Sequence, residues 1–319
     1  MARDPRYFRP HTLVEITNIT FQNRFLTRPS KRLNDIFLGV LGLAQVKHAM
    51  PICGVVVLST HFHLLLVPND AEHLANFMEF LNGNLSKEIG RLHGWKGKLW
   101  HDRYHLVPVS DDEGAQIRRL RYLLAAGVKE FLVDRVAQWP GVHSATALME
   151  GTSPMGHWYD RTKEYAARQR GEKNLDPEKY ASEQRVVFSP LPSWKHLPEE
   201  TWRRRVGELV ADIDEEGARQ RQRTGRTSLG VKRILGMKPT HRPEQVKKSP
   251  RPQYHAVTAL AFKRWREALS AVLQAFREAS SRLREGDLRV IFPEGTFPPA
   301  LPFTPFARNL IAQPRGQPS

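Results

Sequence analysis

His61 and His63 lie two residues apart in the apolar run Ser59-Thr60-His61-Phe62-His63-Leu64-Leu65-Leu66-Val67-Pro68. In an extended strand successive side chains point to opposite faces, so both imidazoles face one way and Phe62 the other. Two neutral imidazoles on one strand face can hold one divalent metal ion. Two donors do not complete a site, so a third protein group or the substrate has to.

Tyr122 is the other residue placed for chemistry. On a helical wheel of about 100° per residue, Ile117, Leu120, Leu124, Val128 and Phe131 share one side. Tyr122 falls almost opposite, beside Arg118, Arg119, Ala126 and Lys129. A tyrosine there is free to meet a phosphate, and neighbouring cations favour the phenolate, the better nucleophile. The same placement also suits a tyrosine that only stacks on nucleic acid or hydrogen-bonds to it. By helix geometry, Arg118, Arg119 and Lys129 are the cations expected at phosphates.

Charge supports that class of partner. Lysine and arginine total 49 against 33 acidic residues, a formal net charge of +16 over 319 residues. Basic side chains that neutralise phosphates release counterions, so nucleic acid is the expected polyanion. An excess this large also repels itself, which argues against an idle charged surface. Hydrophobic residues make up 40% of the chain, enough for a core, but no run reaches the roughly 18 apolar residues of a bilayer span. No apolar stretch follows the basic N-terminus, so no signal peptide and no membrane partner are expected. The lone cysteine, Cys53, rules out disulfides within the chain and cysteine-rich zinc sites, and reads as a small core residue. A cytoplasmic, nucleoid-associated protein is expected.

The elements that must position these residues alternate along the first half. Residues 12–22 read as a strand, with Leu13, Glu15, Thr17, Ile19 and Phe21 on one side. A helix starts at Ser30, with Leu33, Ile36, Phe37, Val40, Leu41 and Ala44 at helical spacing. Runs 52–58 and 61–67 are either a hairpin or one bent strand. A second helix covers 71–92 and a fourth strand 104–109. Ser110 and Glu113 have capping-box spacing for a third helix running to about Leu132. The order implies an α+β fold, a four-stranded antiparallel sheet with packed helices.

Past Trp139-Pro140-Gly141 the character changes. Residues 1–150 are read as the domain carrying His61, His63 and Tyr122, and 151–196 as a polar linker or wrapping segment with one helix over 160–170. Residues 197–292 form a basic helical extension and 293–319 a Pro-rich tail. The extension's strong helices are one from Pro198, with Trp202, Val206, Leu209, Val210 and Ile213 on one face, and one over 257–283.

The pattern His61-Phe62-His63 resembles the HUH motif of single-tyrosine transposases and relaxases. Residues 55–68 are similar to the corresponding strand pair of REP-associated tyrosine transposases. Trp100-His101-Asp102-Arg103-Tyr104 resembles their W-x-x-R-aromatic stretch, which adds Arg103 to the expected nucleic-acid contacts. Residues 121–129, with Leu132-Val133 and Trp139-Pro140 after them, resemble their nucleophile helix and the segment next to it. The resemblance spans about residues 10–148. It implies a ferredoxin-like or RRM-like sheet with the histidine pair on a central strand, followed here by the mostly helical C-terminal extension. It further implies Mg²⁺ or Mn²⁺ on His61 and His63, single-stranded or hairpin DNA as partner, and Tyr122 as nucleophile. The products would be a 5′-phosphotyrosine and a free 3′-hydroxyl. A monomer is expected rather than a homodimer.

The chain departs from that pattern at Thr60 and at Ala126-Gly127-Val128, which stands where the family has Asn-Pro-Val. Ala126 stands where Asn or Gln commonly supplies a third ligand, and Thr60 stands where Asn often precedes the first histidine. Asp102, Glu130 and His143 are alternative donors. The rival readings are a domesticated, catalytically silent nucleic-acid-binding protein on the same fold and a general RRM-like RNA binder. The latter lacks a paired aromatic stacking signature on a strand.

Overall fold

The computed structural model describes residues 5–244 and 252–299. The first half runs β1 (Val14–Ile19), α1 (Lys31–His48), β2 (Ile52–Val57), β3 (His61–Leu66), α2 (Ala71–His93) and β4 (His105–Pro108). The sheet has the order β2-β3-β1-β4, with all three pairings antiparallel. This is the ferredoxin-like arrangement, and it puts β3 and β1 in the middle. Runs 52–58 and 61–67 are therefore a hairpin turning at Ser59-Thr60, not one bent strand.

Strand alternation divides the core in two. Val14, Ile16, Val55, Val57, Phe62, Leu64 and Leu66 face α1 and α2, where Leu33, Phe37, Leu41, Phe77 and Leu81 meet them. Each such buried side chain contributes about 1.5–3 kcal/mol relative to exposure. The other face carries Leu13, Val56 and Leu65, and the site residues stand on it. It is covered by α3 (Glu113–Leu124), α4 (Ala126–Lys129) and α5 (Ala145–Glu150). Cys53 is buried in this second core, where burial pushes its thiol up to about 12.

The third helix differs from its expected form in two ways. Its cap is Asp112, whose carboxylate accepts from Ala115 N at 2.8 Å, not Ser110. Glu113 closes no capping box but takes Trp194 Nε1 at 2.8 Å and Arg205 at 2.6 Å. The helix is jointed at Ala125 and stops at Lys129, short of Leu132, where Phe131 turns left-handed at φ 54°.

The remaining elements are β5 (Met155–Tyr159), α6 (Arg161–Gln169), β6 (Ala181–Arg185), α7 (Glu199–Thr224), α8 (Val231–Gly236) and α9 (Ala259–Arg284). Segment 151–196 forms a β5–β6 hairpin against α1. Two glycines allow backbone to meet backbone there. A Cβ at Gly39 would lie 2.1 Å from His157 O, and one at Gly156 would lie 2.2 Å from Asp35 O. α7 packs on α3, α4 and α5 through Trp202, Val206, Val210 and Ile213. Within the tail, Gly295 O accepts from Phe8 N at 3.2 Å, while residues 300–319 lie outside the described ones. No helix among the described residues is long and apolar enough to cross a membrane.

Candidate active site

β3 carries both histidines on the face that α3 covers. Thr17 pairs with His63 and Ile19 with His61 across the β1–β3 ladder, so Glu15, Thr17 and both imidazoles share one surface. The two rings stand 4.9 Å apart between centroids.

Each ring is held through the same nitrogen. His61 Nδ1 is 2.8 Å from Thr60 Oγ1. His63 Nδ1 is 3.0 Å from Thr17 Oγ1 and 2.8 Å from Glu15 Oε1. Among the described residues neither Nε2 has a hydrogen-bond partner, which leaves these two atoms as donors toward an ion. Holding Nδ1 and offering Nε2 is how ligand histidines are oriented, and a carboxylate behind one ring raises its basicity. Burial lowers His61 to about 3 and His63 to about 4, the latter helped by the charge of Lys129. Both rings are therefore neutral near pH 7, the form that binds metal. The pair fits a divalent ion on these grounds.

Glu15 is the residue that sequence reasoning passed over. It is 0% exposed on a central strand, and its second oxygen forms an ion pair with Arg119. Both contacts are close in distance, yet neither has hydrogen-bond geometry. One acid in the middle of Leu13-Val14-Glu15-Ile16-Thr17 was the available signal, since such a charge is buried only where something answers it. Thr60 was likewise not expected to have a task, and its hydroxyl orients His61.

Tyr122 arrives from α3. Its ring meets His63 edge to face, 5.9 Å between centroids and 86° between planes. The residue is 38% exposed and lines an open cleft. Lys129 Nζ lies 4.1 Å and Arg119 Cζ 4.6 Å from the ring centroid. Such cation–π contacts hold a ring in place and put positive charge beside it.

The expected phosphate contacts divide into two groups. Arg118 and Lys129 are exposed on the same side as Tyr122. Arg119 is turned inward, with its side chain 12% exposed against Glu15. Arg103 is exposed in the loop whose His101 N bonds Ile19 O, next to the strand position paired with His61. The proposed alternative donors do not gather. His143 uses Nε2 on Leu124 O and Nδ1 on Ala145 N, both at 3.1 Å. Asp102 lies 4.0 Å from His101, and Glu130 is exposed beyond α4. Among the described residues, no group of three His, Cys, Asp or Glu could hold an ion.

No family model matches the chain, and no curated protein matches it. Among solved structures, a REP-associated tyrosine transposase bound to a REP hairpin is similar at 16% identity and a TM-score of 0.39, over 48% of this chain and 89% of that one. A provisionally named transposase from Deinococcus radiodurans R1 is similar at 19% identity and a TM-score of 0.27, over 37% of this chain and 94% of that one.

Proposed function

We propose that the protein nicks and rejoins single-stranded DNA through a phosphotyrosine, in the manner of an HUH single-tyrosine transposase. The observation that carries this reading is the meeting of an exposed phenol with a pair of neutral, oriented imidazoles from a distant strand. The surface charge and the resemblance over residues 10–148 support it.

His61 and His63 would hold Mg²⁺ or Mn²⁺ through Nε2, with Thr17 and Thr60 fixing the rings and Glu15 adding negative charge behind His63. When bound, the ion polarises the scissile phosphate and offsets the charge that develops on it. Arg118 and Lys129 bind the strand and orient it. Tyr122 Oη attacks phosphorus and gives up its proton to solvent. An O–P bond to tyrosine forms, the P–O3′ bond breaks, and the departing 3′-oxygen takes a proton. The linkage stores the phosphodiester's energy, so a later attack by a 3′-hydroxyl rejoins strands and frees Tyr122 without a nucleotide cofactor.

A second reading, a silent DNA-binding protein on the same fold, is favoured by Ala126 and by the lack of a third donor among the described residues. One assay separates the two. With hairpin-bearing single-stranded DNA and Mn²⁺, wild type should give a covalent adduct on a denaturing gel, and Tyr122→Phe and His63→Ala should give none. Equal DNA binding by all three with no adduct from any would select the silent protein.

A further inference from the structure

α7 belongs to the C-terminal half, yet it forms one wall of a cleft beside Tyr122. The cleft measures ≈ 340 Å³, at the small end of the roughly 300–1,000 Å³ usual for ligand sites. Its floor is apolar, made by Ala125 and Val128 at the α3–α4 joint and by Ile213 and Gly217 on α7. Gly217 sets the spacing of these walls, because a Cβ there would fall 2.3 Å from Val128 Cγ1. α7 is tied down at both ends, by Arg205 to Glu113 at 2.6 Å and by Arg221 to Asp134 at 3.1 Å.

We propose that this cleft takes one unpaired nucleobase of the bound DNA strand, read by Gln220. The inference rests on the proposed function, because Tyr122 is both a wall of the cleft and the nucleophile. An apolar floor beside an exposed aromatic ring suits a base, which has a π-face and little charge. Charge sets the orientation. Arg118, Arg121 and Lys129 line the α3–α4 side, where phosphates belong. The α7 side of the lining carries no cation, only Glu216, Ile213, Gly217 and Gln220, so the base points toward α7.

Gln220 stands on that side. Its Nε2 donates to Glu216 Oε1 at 3.2 Å, and the Glu216 Oε2 oxygen is taken by Arg219 at 3.2 Å. The amide keeps its carbonyl oxygen and a second N–H for the ligand. One acceptor beside one donor is the pair that matches adenine's amino group and adjacent ring nitrogen. The slot therefore selects the base next to the phosphate that Tyr122 attacks.

The test is an abasic scan. A single-stranded oligonucleotide is made with each base removed in turn, and binding to the full chain is measured by fluorescence anisotropy in EDTA, so that cleavage is off. One position should weaken binding about fivefold or more when its base is removed. Gln220→Ala and Gln220→Glu should each weaken intact DNA toward that abasic level, while the abasic DNA binds wild type and Gln220→Ala alike. Circular dichroism melts check that both variants fold. An insensitive scan, or a sensitive position unchanged in both variants, overturns the proposal. The adduct assay is run on the same DNA. An adduct without base-selective binding keeps the chemistry and rejects the cleft. Base-selective binding lost in the Gln220 variants, with no adduct, keeps the cleft and rejects the chemistry.

Discussion

Tyr122 and His63 come from elements far apart in sequence, and their rings meet edge to face with centroids 5.9 Å apart. The sheet supplies one ring and the helix laid across it supplies the other. Packing on the second sheet face backs this contact, and residues beyond 150, Trp194, Trp202, Val206 and Ile213 among them, belong to that packing.

Glu15 and Arg119 form a buried ion pair directly behind His63. Removing one partner strands the other in the core, which costs about 3–5 kcal/mol. Glu15→Gln and Arg119→Met should each lower the urea midpoint of unfolding. The double variant should recover much of the loss, because neither charge is then left alone. Additive losses in the double-mutant cycle would show that the two side chains do not interact. Glu15→Gln should also weaken Mn²⁺ binding about tenfold or more, since it removes the negative charge behind His63.

Acid should unfold the protein through three histidines whose charged form is disfavoured in the fold. Burial lowers His61 to about 3 and His63 and His143 to about 4, against about 6.5 in the unfolded chain. Between these values the unfolded state takes up protons that the native state refuses, so stability is full above about pH 6.5 and falls as pH drops toward 4. Each group contributes up to about 1.4 kcal/mol per pH unit across that window. His143 accepts from Ala145 N through Nδ1 and cannot do so when protonated. His143→Gln should therefore flatten the pH dependence by about one proton; an unchanged slope in denaturant titrations from pH 7 to 4.5 would count against this origin.

DNA affinity should fall steeply with salt, in proportion to the phosphates neutralised. Arg118 is exposed at the cleft, whereas Arg119 is turned to Glu15. Arg118→Ala should reduce the slope of log affinity against log salt by about 0.7, the single-strand value for one phosphate. A flat dependence in wild type, or an unchanged slope in Arg118→Ala, would contradict the assignment.

The alternation of Leu13, Glu15, Thr17 and Ile19 against Val14 and Ile16, with the β-α-β-β-α-β order, makes the sheet legible from sequence alone. The face of His61 and His63 comes from period two, and the exposure of Tyr122 from the wheel. Glu15 was not legible as a neighbour of His63, because that contact depends on the β1–β3 register. Ser110 and Asp112 are both good cap residues, so local propensity does not separate them; in the structure Asp112 caps and Ser110 N bonds His255 O. The β5–β6 hairpin was hidden because Ala181–Arg185 has no apolar alternation. It is held by its ladder and by close approach to α1 at Gly39 and Gly156. The wall that α7 adds to the site rests on Gly217 meeting Val128, a contact with no local signature.

The most direct measurement asks where the DNA ends up. Hairpin-bearing single-stranded DNA, labelled at either end, is incubated with the protein and Mn²⁺, and the adduct is digested with trypsin. The 3′-end label should stay with protein, and the 5′-labelled fragment should leave with an extendable 3′-hydroxyl. The nucleotide mass should lie on the peptide released between Arg121 and Lys129, which contains Tyr122. No adduct, a 5′ label retained on protein, or modification of any other peptide would contradict the proposed function.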